Sequence, residues 1–269
     1  MAASSKPPAT ACCLDAYDLY LRVLALRDTR TDDSVREAIA LLKRALAIDP
    51  NYAPAKALIG WSRIHQASHG RSPVSEGGAT EAVTLARDAL EAGKDDADTL
   101  WMAAHTLSVF AGEHTVAAAA IDRALMLNPN SAHAWMARGF RYGGDNQPGP
   151  AIEALERARR LSPLDPQPWV FYGGLAHAHF AAGRWGEAIE WADRALHAQP
   201  RMTAVVGVKA AACSHLGRAE EARAYVSRYL ELRPGSTIGN VGGYVRTAVS
   251  PEFRAAYTDG LRQAGMPEE

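Results

Sequence analysis

The sequence predicts an all-α solenoid of antiparallel helix pairs, and three observations predict it. Proline closes a segment at Pro129, Pro163, Pro200 and Pro234, with separations of 34, 37 and 34 residues. Small residues stand twelve and five positions before each close: Ala117 and Ala124, Ala151 and Ala158, Ala188 and Ala195, and Ala222 with Tyr229 in the last. Between them, eight positions before the close, the residue is always apolar: Ile121, Leu155, Ala192 and Val226. Offsets of four and three place such residues on one face of a helix.

Taken in order, the same marks locate six units and a cap. Pro50 closes the first, with Ala38, Leu42 and Ala45 in register. The 79 residues from Pro50 to Pro129 hold two units, and Lys94 stands where the intervening Pro is expected, preceded by Ala82, Ala86 and Ala89. The expected units are about 13–50, 53–94, 98–129, 132–163, 169–200 and 203–234, after a flexible tail over 1–12 and before a capping segment over 235–269. "RDTRTDD" lengthens the first turn and leads into Ser34-x-x-Glu37, a capping-box pattern. "QASHGRSPVSEGGAT" (66–80) reads as a surface loop inside the second unit, and "SPLDPQP" (162–168) adds three residues between the fourth and fifth.

The first helix of each pair carries a looser stripe. Trp135, Arg138, Gly139 and Tyr142 are spaced 0, 3, 4 and 7, and the stripe restarts at Trp101 and Tyr172. Gly60 and Gly139 share one place in it, which Ala176, Ala210 and His105 fill elsewhere. Past Pro234 the chain is Gly-rich until Ser250-Pro251-Glu252 opens a helix. Phe253, Tyr257 and Leu261, four apart, would cover the last apolar face.

This pattern resembles the tetratricopeptide repeat, a 34-residue helix–turn–helix with Trp-x₂-Leu-Gly-x₂-Tyr…Ala…Phe…Pro. The resemblance implies a right-handed superhelix in which small residues let paired helices approach and Pro stops the second helix. The fourth unit departs from it at Arg138, where Leu is usual. Two stretches near the start, "DAYDLYLRVLAL" (15–26) and "AIALLKRALAIDPNYAPAKALIGWS" (38–62), and the ending "FRAAYTDGLRQAGMPEE" are more particular. They look like the C-terminal repeat module of bacterial multidomain regulators, in which a class III adenylate/guanylate cyclase or a winged helix precedes the repeats. That resemblance implies a sensory or docking role, either as a stand-alone relative or as a detached regulatory module.

Composition narrows the class. At 48% hydrophobic and 22% charged residues the chain can fold, and a formal charge of −1 gives no net pull toward nucleic acid or an anionic membrane. Only five of the 29 basic residues are Lys, and the Arg are scattered. Three cysteines, two of them adjacent at Cys12–Cys13, make no disulfide framework and point to a reducing cytoplasm. The N-terminal residues lack a secretory-signal pattern, and no apolar run reaches the roughly 20 residues that span a bilayer.

No nucleotide, zinc or serine-nucleophile motif occurs, and the doublets Gly143-Gly144, Gly173-Gly174 and Gly242-Gly243 follow no strand. His177 and His179 face opposite sides of a helix; His65 and His69 share a face but lack a third ligand. "ERARR" (156–160) reads as a solvated helix end and Cys213 as inert packing. No enzyme activity, cofactor or metal is therefore expected.

What remains is binding. In tetratricopeptide proteins the first helices line a concave groove, and helical phase assigns to it Trp61, Met102, Thr106, Met136, Phe140 and His177, edged by His65, His133 and His215. The Lys/Asn/Arg set by which some relatives clamp a chaperone-tail carboxylate is replaced here by Ala, Met, Thr, Phe and Gly. Two readings stay open for the aromatics: they receive an apolar helix or peptide from a protein partner, or they only fill the superhelix. Self-association through the same groove is a third.

Overall fold

The computed structural model describes residues 9–26, 32–69, 74–241 and 250–269. Residues 1–8, 27–31, 70–73 and 242–249 lie outside these. Thirteen helices and no strand occur among the described residues. They form six consecutive hairpins: α1 (Ala9–Leu26) with α2 (Asp32–Ile48), α3 (Ala53–His69) with α4 (Glu76–Ala92), α5 (Ala97–Ala111) with α6 (His114–Leu127), α7 (Ala132–Gly144) with α8 (Pro148–Leu161), α9 (Pro168–Ala181) with α10 (Trp185–Ala198), and α11 (Thr203–His215) with α12 (Ala219–Leu232). The last helix is α13 (Pro251–Gln263). α2 begins two residues before the Ser34 of the expected capping box, and Asp33 in its first turn suits the positive end of a helix.

The small residues do in space what their spacing requires. Ala117, Ala124, Ala151, Ala158, Ala188 and Ala195 expose no surface. The close approach is reciprocal at Gly139, where a Cβ would fall 2.5 Å from Leu155 Cγ. Tyr229 stands where the other units have Ala and is still fully buried, because Gly207 opposite it leaves room for the ring.

In the third to sixth hairpins the turn uses one residue of left-handed backbone. Gly112, Gly183 and Gly217 supply it with φ of 66°, 68° and 72°, and Asn146 does so with φ 56°. Asn is among the few side chains that tolerate this region. Side chains cap helix starts: between hairpins Asp96 accepts from Thr99 N and Ser131 from Ala134 N, and inside the second hairpin Ser75 accepts from Gly78 N.

The array curls until its second and sixth hairpins meet. α3 and α11 pack against each other across the interior, and Arg233 Nη2 donates to the Ala67 carbonyl oxygen at 2.7 Å. α13 does not continue the stack outward. It runs antiparallel along α11, with the Ala256 carbonyl 2.9 Å from His215 Nε2 and Gly260 against Ala211. Its N-terminus reaches back toward the fourth hairpin, where Ser250 Oγ approaches Asn146 Oδ1 at 3.4 Å. Ser250 caps the helix by accepting from Phe253 N at 3.1 Å.

Candidate functional site

The inner face is apolar because α5, α9 and α11 are apolar nearly all round. In α5 every residue from Thr99 to Val109 is buried. Where α3, α5, α7, α9 and α11 converge, they leave a cavity of about 130 Å³. Trp61 and His65 enter it from α3, His105 and Val109 from α5, Phe140 from α7, His177 from α9, and Phe253 from α13. Glycines at 173 and 174 keep the α9 wall open: a Cβ at Gly174 would meet Leu155 Cδ2 at 2.8 Å and Phe140 Cζ at 3.2 Å.

The rings form a connected wall. Trp61 lies edge-on to His65 (centroids 4.5 Å, 88°) and to Trp101 (5.0 Å, 82°). His105 bridges Trp61 at 5.5 Å and Phe140 at 5.2 Å. On the far side His177 stacks on Phe253, with centroids 5.7 Å apart and planes 8° from parallel.

Burial sets the charge state of the histidines. It pushes His105 down to about 4 and lowers His177 as well, against the opposing effect of the Gly173 carbonyl. Both imidazoles are neutral at pH 7. His177 Nδ1 lies 2.8 Å from the Gly173 carbonyl oxygen, which can only accept, so Nδ1 carries the proton and Nε2 is left as an acceptor. Among the described residues no Asp, Glu, Lys or Arg lines the cavity. Such a surface can hold an uncharged group and orient it by a hydrogen bond.

Of the nine residues that the sequence assigns to the groove and its edge, the structure brings Trp61, His65, Phe140 and His177 to this cavity. Met102, Thr106 and Met136 lie within the helix packing; Thr106 and Met136 expose nothing, and Thr106 Oγ1 donates to the Met102 carbonyl at 2.8 Å. Thr106 fills the space over Gly60, where a Cβ would collide with it. His133 stacks on Trp101 (5.3 Å, 18°) and lies 3.6 Å from the Asp165 carboxylate. Asp165, from the three-residue insertion, is buried and accepts from Gln167 N at 2.9 Å and from Ser162 Oγ at 3.0 Å. His215 is turned to α13 and stacks on Trp185 at 4.5 Å.

Phase counting misses His105 and Phe253. His105 stands in the place that Gly or Ala fills in other units, and that departure is the signal that could have found it. Phe253 is legible as a cap residue but not as a wall of the cavity, since its position depends on α13 folding inward.

The geometry has a named counterpart. Residues 142–203 and 174–237 match the family model of the tetratricopeptide repeat. The fold is a tetratricopeptide-repeat solenoid. Among solved structures it is similar to a chain of the APC/C hetero-tetramer Cut9–Hcn1, with a TM-score of 0.64 at 15% identity over 96% of this chain and 46% of that one. This chain thus spans just under half of that protein's length. It is similar also to PilW, a type IV pilus biogenesis factor (TM-score 0.57, 19% identity, 86% of this chain and 96% of that one). A third likeness is to pilF of Pseudomonas aeruginosa (0.54, 18%, 85% and 95%). At these identities the likeness is one of fold. No curated protein matches the sequence. Among the described residues no helix is long and apolar enough to cross a membrane.

Proposed function

We propose that this chain is a non-enzymatic scaffold that holds a protein partner against its inner face. Tetratricopeptide repeats generally mediate contact between proteins, and that general role supports the reading. The observation that carries it further is the convergence of Trp61, His65, Phe140 and His177 on one apolar, charge-free surface at the centre of the curl. Desolvated aromatic clusters of this kind are where binding energy concentrates. The partner contributes an apolar helix or peptide that lies across the mouth of the cavity; Met102, Thr106, Met136 and His133 act from behind by fixing the helices that present the rings. The setting is bacterial signalling or regulation in the cytoplasm, a reading supported by the resemblance of residues 15–62 and 253–269 to the repeat module of cyclase and winged-helix regulators.

A second reading, self-association, is favoured by the exposure of Leu164 (94%) and Met126 (73%), large apolar side chains on the outside of the array. Light scattering over a range of concentrations separates the two.

The test of the scaffold is affinity capture from a bacterial lysate, read by mass spectrometry, with the wild type, Trp61→Ala/Phe140→Ala and the milder Phe140→Leu. A partner retained by the wild type and lost by the double variant, with helical circular dichroism unchanged, supports the reading. Equal capture by all three chains contradicts it.

A further inference from the structure

We propose that the central cavity is a binding site for a small, neutral, single-ring molecule bearing one hydrogen-bond donor, of the phenol or indole class, held between Trp61, Phe140 and Phe253 and oriented by His105 and His177. This goes beyond the scaffold reading by naming what fills the space behind the partner surface.

Size comes first. The cavity measures about 130 Å³. An apolar engineered cavity of about 150 Å³ takes up benzene, so a single ring fits here and a peptide segment does not. Shape agrees with size: the walls are ring faces and edges, from Trp61 through His105 to Phe140 on one side and from His177 to Phe253 on the other. Rings in such surroundings gain from offset and edge-on contacts beyond the area they bury.

Charge and hydrogen bonding decide the chemistry of the ring. Among the described residues no ionised side chain lines the space, so a carboxylate or an amine would find no charged partner there to offset its lost hydration. Two imidazoles are instead left with unused hydrogen-bonding capacity. His105 is 8% exposed, lines the cavity, and makes ring contacts but no hydrogen bond to any described residue. His177 spends Nδ1 on the Gly173 carbonyl and keeps the Nε2 lone pair. A donor on the ligand has the His177 Nε2 lone pair to bond to, in surroundings where a hydrogen bond is worth more than in water. Toluene would fill the space without satisfying either imidazole; phenol or indole does both.

The donor-bearing ring has two sources, a free small molecule or a Tyr or Trp side chain of a docked partner, and the test separates them. Purified chain is titrated by calorimetry with phenol, indole, toluene and benzoate, and the imidazole signals of His105 and His177 are followed by NMR. Phenol or indole should bind saturably at one site and shift both imidazoles, toluene should bind about tenfold more weakly for want of one hydrogen bond, and benzoate should not bind. His105→Leu with His177→Leu should bring the phenol-to-toluene ratio close to one. Ala181→Trp, at the half-buried rim, should fill the space and abolish uptake while circular dichroism is unchanged. N-acetyltyrosine amide carries the same phenol on a peptide backbone: uptake of both assigns the site to a partner's side chain, and uptake of phenol alone assigns it to a free molecule. The proposal is overturned if neither phenol nor indole saturates, if Ala181→Trp binds them as the wild type does, or if benzoate binds equally well. Because no partner protein enters the titration, its result and that of the lysate capture stand or fall separately.

Discussion

Phe253, near the start of the last helix, lies face to face with His177 in the fifth hairpin, their ring centroids 5.7 Å apart. Phe180 meets the same phenyl ring at 5.1 Å. A cap that only extended the stack would touch the sixth hairpin alone; this one folds inward and closes one wall of the central cavity. Phe253→Ala removes that wall and leaves α13 resting on Tyr257 and Leu261. It should cost about 3 kcal/mol, the usual range for a buried aromatic truncated to Ala. Urea unfolding measures the cost, and amide exchange should speed up first within residues 251–263.

Gly260 sets how closely α13 can approach. A Cβ there would lie 2.8 Å from the Cα, Cβ and carbonyl oxygen of Ala211, and a backbone cannot step aside as a side-chain tip can. Gly260→Ala should therefore destabilise by about 1–3 kcal/mol in spite of its better helix propensity. Gly143, in the last turn of α7, has open space where a Cβ would go. Gly143→Ala should be neutral or stabilising by up to about 1 kcal/mol. Thermal melts of the two variants against the wild type give the comparison.

Stability should fall in mild acid through a neutral buried histidine. His105 titrates at about 4 in the folded chain against 6.5 for the free side chain. Between those values the unfolded chain binds a proton that the folded chain refuses, so stability is full above pH 6.5 and is lost as pH falls toward 4. The loss attributable to this one group approaches about 3 kcal/mol. His177 and His179, whose pKa values burial also lowers, add in the same direction. Urea melts at pH 7.5, 5.5 and 4.5 should show a shallower acid slope for His105→Phe than for the wild type, a difference that cancels the carboxylates common to both.

Cys213 should be inert in the native chain. It exposes no surface, and burial pushes its thiol up to about 11. Iodoacetamide at pH 8 should leave the peptide containing Cys213 unmodified under native conditions and label it fully in denaturant, as read by peptide mass mapping.

The helices, their pairing and the residues between the pairs were legible because each depends on local spacing. Ala at twelve and five positions before a Pro is buried in nearly every unit, and only small side chains let paired helices meet at that distance. The left-handed turns at Gly112, Gly183 and Gly217 were not marked by the sequence reading, and Asn146 breaks the glycine pattern by meeting the same backbone need with a different side chain. Helical phase places Trp61, His65, Phe140 and His177 on the inner face, yet it cannot distinguish a residue that reaches the cavity from one a turn away, such as Thr106, that fills the gap over Gly60. How far the array curls depends on contacts between residues far apart in sequence. Arg233 on the Ala67 carbonyl and Phe253 on His177 are of that kind, and no periodicity announces them.

The account depends on the array curling until α11 meets α3 around a closed interior. The direct measurement is the distance between spin labels at Gln66→Cys and Glu231→Cys, in a chain with Cys12 and Cys13 replaced by Ser and the buried Cys213 left in place. A single narrow distribution at the short end of the measurable range is expected, since Ala67 and Arg233 beside these sites are in hydrogen-bond contact. A broad distribution, or a narrow one at the long distance of an open superhelix, would contradict it.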